Sequence, residues 1–179
     1  MIQVFKPFSI TKNLGQAYNQ AMALLPDDGW GCLMDGDTMF LTPDWGQILW
    51  GYVERFPDTG LFTCWTGRGH SLCDHQVLNG KTNENANLRD HIKIAEEVRQ
   101  KLYKATELKK EVSGFLMMIK KSTWNEIKFS DFPGQCLGVD NDYCWRLLEK
   151  GKKILRMDGL YVWHTYRLAN GVHDKSHLK

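Results

Sequence analysis

Two carboxylates one residue apart stand directly behind an apolar run: Trp30-Gly31-Cys32-Leu33-Met34 leads into Asp35-Gly36-Asp37. In an extended chain residues i and i+2 point the same way, so a strand ending here delivers Asp35 and Asp37 to one sheet edge. Two anions held that close repel unless a cation or a proton intervenes. Hard carboxylate oxygens suit Mg²⁺ or Mn²⁺, whose remaining positions are often filled by substrate phosphates, so the chemistry expected is a metal–diphosphate site. The plain alternative is an acidic turn, because Asp and Gly are ordinary turn residues. A second acidic group follows late in the chain, where Gly138-Val139-Asp140-Asn141-Asp142 precedes Tyr143-Cys144-Trp145-Arg146. Its carboxylates fall at a predicted helix start, where the macrodipole favours negative charge and simple capping is the competing explanation. His164 closes the run Leu160-Tyr161-Val162-Trp163; taken alone it reads as an ordinary strand-end histidine. Cys64, His70, Cys73 and His75 are also close in sequence, but their spacing fits no usual zinc knuckle, and Cys64 sits in an apolar run.

The elements that must carry these residues alternate. Short strands are expected at Ile2–Phe5, Trp30–Met34, Leu61–Trp65, Gly114–Ile119, Ile154–Met157 and Leu160–Trp163. Leu14, Ala17, Tyr18, Ala21, Leu24 and Leu25 follow helical spacing up to Pro26, and Thr42-Pro43-Asp44 predicts the start of a helix running to Phe56. Leu88, Ile92, Ala95, Val98 and Leu102 make one apolar stripe on a charged helix reaching Tyr103. A short helix is expected at Ser122 and another from Asp142 to Lys150. Gly67 to Asn87 has no period and reads as a long mobile loop; Trp65, Arg68 and this loop are candidates for a lid or an acceptor contact. Alternating strands and helices predict an α/β fold with a mainly parallel sheet covered on both faces.

Composition bounds the class. The chain of 179 residues reads as a single domain with room for a real core. Its 25% charged and 42% hydrophobic residues and net charge of +2 are those of a globular protein and demand no polyanionic partner. The residues after Met1 do not resemble a signal peptide, and no apolar run is long enough to span a membrane. Five cysteines, an odd number, predict reduced thiols and a cytoplasmic setting.

The order of the motifs resembles family 2 of the GT-A glycosyltransferases over nearly the whole chain. Asn13-Leu14-Gly15 with Asn19, then Met34-Asp35-Gly36-Asp37, then Thr42-Pro43-Asp44 look like the family's Asn-x-Gly helix, metal motif and following helix start. Ser113-Gly114-Phe115-Leu116 is similar to its central glycine-containing strand. Gly138 to Asp142 with Arg146, Gly151, and His164-Thr165-Tyr166-Arg167 resemble its acidic catalytic motif and closing histidine. The resemblance implies a GT-A-like fold with a donor and metal half (1–66), the mobile loop (67–87) and an acceptor and catalytic half (88–179). It implies sugar transfer, with inversion, from a nucleotide-sugar (a UDP-sugar) to an acceptor hydroxyl on a glycan, protein, lipid-linked carrier or modified nucleic acid. Mn²⁺ or Mg²⁺ would be held by Asp35, Asp37 and His164, and Asp140 would be the base. Pro7, Phe8, Ser9, Lys12, Asn13, Asp35, Gly36, Gly114, Asp142 and Arg146 would line the substrates. Only 34 residues precede Asp35, so this is a short version of the family pattern, lacking part of the N-terminal nucleotide-binding region. A second copy or a partner chain is one way to complete such a site. The rival readings are a metal-dependent nuclease or phosphotransferase, and a non-catalytic nucleotide-sugar-binding module.

Overall fold

The structure is a computed structural model, and it describes residues 1–68, 71–80, 83 and 87–165. Its centre is a seven-stranded sheet flanked by helices. Strand β1 (Ile2–Phe5) lies parallel to β2 (Trp30–Met34), joined through helix α1 (Leu14–Ala23). β2 is followed at once by β3 (Thr38–Phe40), helix α2 (Trp45–Arg55) and β4 (Thr59–Thr66). Helix α3 (Leu88–Val98), a 3₁₀ turn at Arg99–Lys101, β5 (Ala105–Leu108), β6 (Leu116–Lys120), and helices α4 (Lys121–Glu126) and α5 (Val139–Glu149) lead to β7 (Lys153–His164). The strand order is β1-β2-β6-β4-β7-β3, with β5 also paired to β7.

The sheet is mixed, which corrects the expectation of a mainly parallel one. Only β1 with β2 and β4 with β7 run parallel; β6 is antiparallel to both β2 and β4, and β3 and β5 are antiparallel to β7. Parallel neighbours need a crossover between them. β3 instead follows β2 after only the three-residue turn Asp35-Gly36-Asp37, and it pairs with the far end of β7.

Period-two alternation explains the continuous apolar runs, because both faces of the sheet are covered. Leu33, Met117 and Ile119 face Tyr18, Met22, Tyr143 and Leu147 from α1 and α5. Cys32, Met34, Leu116 and Met118 face Ile48, Leu49 and Tyr52 from α2.

Several boundaries differ from expectation. β7 is one strand, not two, and its register against β4 shifts between Cys64 and Trp65, where Asp158-Gly159-Leu160 bulges out. At that bulge a Cβ on Gly159 would sit 2.4 Å from Leu102 Cα, and the Gly159 amide donates to the Tyr52 hydroxyl at 2.9 Å. α2 starts at Trp45, and Thr42 does not cap it; Asp44 holds the N-cap position but spends its carboxylate on Arg99. α3 ends at Val98 and buries His91, Ala95 and Val98, while Leu88 is exposed and Ile92 half-buried. The stripe is therefore rotated toward His91, whose Nδ1 meets the Tyr161 hydroxyl at 2.7 Å. Within the expected loop, Ser71–Gln76 and Leu78–Gly80 form 3₁₀ turns, with Cys73, Gln76 and Val77 buried. His70, Tyr166 and Arg167 lie outside the described residues. Among the described residues no helix is long and apolar enough to cross a membrane.

Candidate active site

Sheet register brings the first carboxylate pair to the late histidine. Asp35 leaves β2 with its amide donating to the Phe115 carbonyl at 3.1 Å. The Asp35-Gly36-Asp37 turn is closed by Thr38, whose amide and hydroxyl both donate to the Asp35 carbonyl, at 3.3 and 2.7 Å. Thr38 then pairs with His164 across β3 and β7, and the Thr165 amide donates to the Asp37 carbonyl at 3.0 Å. Lys6, just past β1, donates to the carbonyls of Gly36 (3.2 Å) and Thr38 (2.8 Å) and so ties the turn to the neighbouring strand.

The result is a three-residue group. His164 Nε2 lies 3.3 Å from Asp37 Oδ1 and 3.9 Å from Asp35 Oδ2. One ligand atom from each of the three can be chosen so that all lie within 4.8 Å of one another, and no other such group occurs among the described residues. Two ligands at about 2.1 Å from one ion stand at most about 4.2 Å apart, so small side-chain shifts would close this group on a cation. His164 is buried, its ring stacked on Phe115 with centroids 5.6 Å apart. Its Nδ1 lies 3.2 Å from the Arg68 carbonyl. A carbonyl only accepts, so Nδ1 carries a proton, which leaves Nε2, on the carboxylate side of the ring, as the nitrogen a cation there would take. Asp35 is pushed up to about 6, first by burial and then by Asp37 and Asp140, with His164 and Lys6 acting in the opposite direction. A carboxyl raised in this way is one whose charge calls for a cation. Two carboxylates and one imidazole fit the divalent ion expected from the sequence.

Asp140 belongs to the first turn of α5, behind Gly138, whose φ of 80° is a left-handed conformation suited to glycine. Its Oδ2 accepts from the Gly114 amide at 2.7 Å and its Oδ1 from the Asn141 amide at 3.0 Å. Gly114, expected to line substrate, gives its amide to Asp140, and a Cβ there would stand 3.1 Å from both Asp140 Cβ and Oδ2. Gly114-Phe115 thus joins the two acidic groups, with the Gly114 amide on Asp140 and the Phe115 carbonyl and ring on Asp35 and His164.

The other expected residues divide into those committed to the scaffold and those open to solvent. Asp142 Oδ2 accepts from Ser130 Oγ at 2.7 Å and from Arg146 at 3.0 and 2.7 Å, while Arg146 Nη1 donates to the Lys128 carbonyl at 2.7 Å. Burial works to raise the Asp142 carboxyl, but the bonds from Arg146 and Ser130 outweigh it and hold the group below its ordinary range. Asn13 is buried; it caps α1 through the Gln16 amide and donates to Asp131. Ser9 Oγ accepts from the Asn13 amide at 2.8 Å. Pro7 is half-buried, Phe8 is 82% exposed, and Lys12 is exposed with φ 53°. Trp65 packs under the Arg156 guanidinium, 3.5 Å from ring centroid to Cζ, and Arg68 is buried at the end of β4.

Lys6, Tyr18, Gln76 and Phe115 were not anticipated. Tyr18 reads in sequence as one more residue of an apolar stripe. Its phenol is nevertheless pushed well up, first by burial and then by the charges of Asp35 and Asp140. No family model matches this chain, and no curated protein or solved structure matches it.

Proposed function

We propose that the protein is a metal-dependent glycosyltransferase that moves a sugar from a nucleotide-sugar, with UDP as the expected nucleotide, to an acceptor hydroxyl with inversion at the anomeric carbon. The observation that carries the reading is the convergence of Asp35, Asp37 and His164 from two distant strand ends, with ligand atoms within 4.8 Å of one another. The carboxylates of Asp35 and Asp37 and Nε2 of His164 would hold the ion, and the imidazole tilts the set toward Mn²⁺ over Mg²⁺. A bound divalent ion supplies Lewis-acid stabilisation of the charge that gathers on a leaving diphosphate.

The chain's own residues do the rest. The Arg68 carbonyl and the Phe115 ring hold the His164 imidazole in one orientation, with Nε2 toward Asp35 and Asp37. Asp140, held by two backbone amides, takes the proton from the attacking hydroxyl, a role worth typically about 10²–10⁴-fold. The Asp142–Arg146–Ser130 network keeps the start of α5, and with it Asp140, in register against the 128–130 segment. Exposed Phe8 and Lys12, on the loop that leaves β1 beside the Lys6-tethered turn, are the residues best placed to meet the donor.

The rival nuclease or phosphotransferase would want a second cation and more carboxylates close together. The test is direct. Purified protein is incubated with a panel of nucleotide-sugars and Mn²⁺, and release of nucleoside diphosphate is followed with and without EDTA. EDTA-sensitive release from one donor is the expected result. Phosphodiester cleavage with no release from any donor would replace this reading with the rival one.

A further inference from the structure

We infer that Gln76 is the positioning residue for Asp140, acting through the Ser113–Gly114 peptide. The inference deepens the reading of Asp140 as base and rests on it for its catalytic meaning; the chain of contacts is independent of that reading.

Gln76 ends the Ser71–Gln76 turn and is 1% exposed. A primary amide offers two N–H donors and two carbonyl lone pairs, and burying them without partners is costly. Here they are spent on three groups. Oε1 accepts from the Ser113 amide at 2.6 Å, and Nε2 donates to the Ser113 carbonyl at 3.3 Å and to Thr63 Oγ1 at 2.7 Å. The side chain therefore treats Ser113 as a neighbouring strand would, pairing with both its N–H and its C=O just before β6 begins.

The consequence follows from peptide geometry. The Ser113 carbonyl and the Gly114 amide belong to one planar trans unit, in which C=O and N–H point in opposite directions. Gln76 holds the carbonyl side of that unit, and its other side presents the Gly114 N–H to Asp140 Oδ2 at 2.7 Å. Rotating the peptide would break the bonds at both ends together. Thr63, fully buried in β4, anchors the far side of the Gln76 amide, so the aim of Gly114 is referred to the centre of the sheet. Buried Val112 holds the preceding residue in the core. A base fixed before substrate arrives needs no reorganisation at the moment of proton transfer, and displacements on the order of 1 Å cost up to about 10²-fold.

The experiment compares Gln76→Met, which keeps length but removes every hydrogen bond, with Thr63→Val, which removes the anchor hydroxyl but leaves both bonds to Ser113. The probe is hydrogen exchange and the ¹H shift of the Gly114 amide in otherwise folded protein. Gln76→Met should speed Gly114 exchange at least about tenfold more than Thr63→Val, and lower kcat roughly tenfold with donor KM unchanged. If Gln76→Met does not fold, Gln76→Glu is read in the same way, because it keeps an acceptor for Ser113 N–H but sets an anionic oxygen against the Ser113 carbonyl. Unchanged Gly114 exchange in a folded Gln76 variant would overturn the inference. Failure of the parent protein to release nucleoside diphosphate from any donor would instead retire the role of Asp140, and the amide comparison would still show whether Gln76 aims Gly114.

Discussion

The two acidic groups of this molecule are built in different ways. Asp35 and Asp37 are delivered by a strand end and meet His164 because β3 pairs with β7 in a register that sets Thr38 opposite His164. Asp140 is delivered by a helix start and held by single hydrogen bonds from backbone amides. Strand pairing is cooperative, so the first group is set by the register of β3 on β7. The second depends on one peptide plane, and local bonds of that kind can be lost without unfolding the domain. The first group is thus set by strand pairing, and the second by the one peptide plane that Gln76 holds.

Phe115→Ala should break the comparison most severely, since Phe115 is fully buried, supports the His164 ring and carries the carbonyl bonded to Asp35. A loss of about 3–5 kcal/mol is expected in urea unfolding, with metal binding weakened in whatever protein remains folded. Asp140→Asn should leave stability and metal binding near those of the parent while lowering transfer by at least about 10²-fold, as measured by single-turnover kinetics.

Much of this was legible in the chain, for physical reasons that differ from element to element. β1, β2 and α1 are bounded by turn residues or capping groups and read correctly to within a residue or two. β3 has three residues and β5 has one buried position, too little pattern to register. β7 reads as two strands because Asp158-Gly159 interrupts its apolar run, yet the bulge there keeps one strand continuous. Strand direction is not written in an apolar run at all, so β6 is legible as a strand but not as an antiparallel one. Carboxylates and a histidine stand out at the ends of apolar strands, which made Asp35, Asp37 and His164 visible. The roles of Gln76, Phe115 and Tyr18 depend on partners far away in sequence, and nothing local marks them.

The rotated stripe of α3 gives a smaller test. Val98→Ala removes two buried carbon groups and should cost about 1.6 kcal/mol at about 0.8 kcal/mol each. Leu88→Ala, at an exposed position, should stay within about 0.5 kcal/mol. Equal losses from the two would restore the stripe expected from the sequence.

The smallest effect is electrostatic. The metal-free protein favours protonated Asp35, whose carboxyl is raised from 3.8 to about 6. Between those values the folded state binds more protons than the unfolded one, so stability falls as pH rises through that window and is level above it. Asp35→Asn should therefore flatten the profile and slightly raise the metal-free Tm at pH 7. The gain should be small, because 41% of the Asp35 side chain is open to solvent and water screens its charge. A parent profile already flat from pH 4 to pH 6 would contradict the assignment of a raised Asp35.

The central claim is that Asp35, Asp37 and His164 form one metal site shared with a diphosphate. Calorimetric titration of UDP into the protein, with Mn²⁺ and then with EDTA, measures that coupling directly. The account predicts that Mn²⁺ strengthens UDP binding, that EDTA abolishes the gain, and that Asp37→Asn behaves with Mn²⁺ as the parent does with EDTA. UDP binding of equal strength in all three conditions would contradict it.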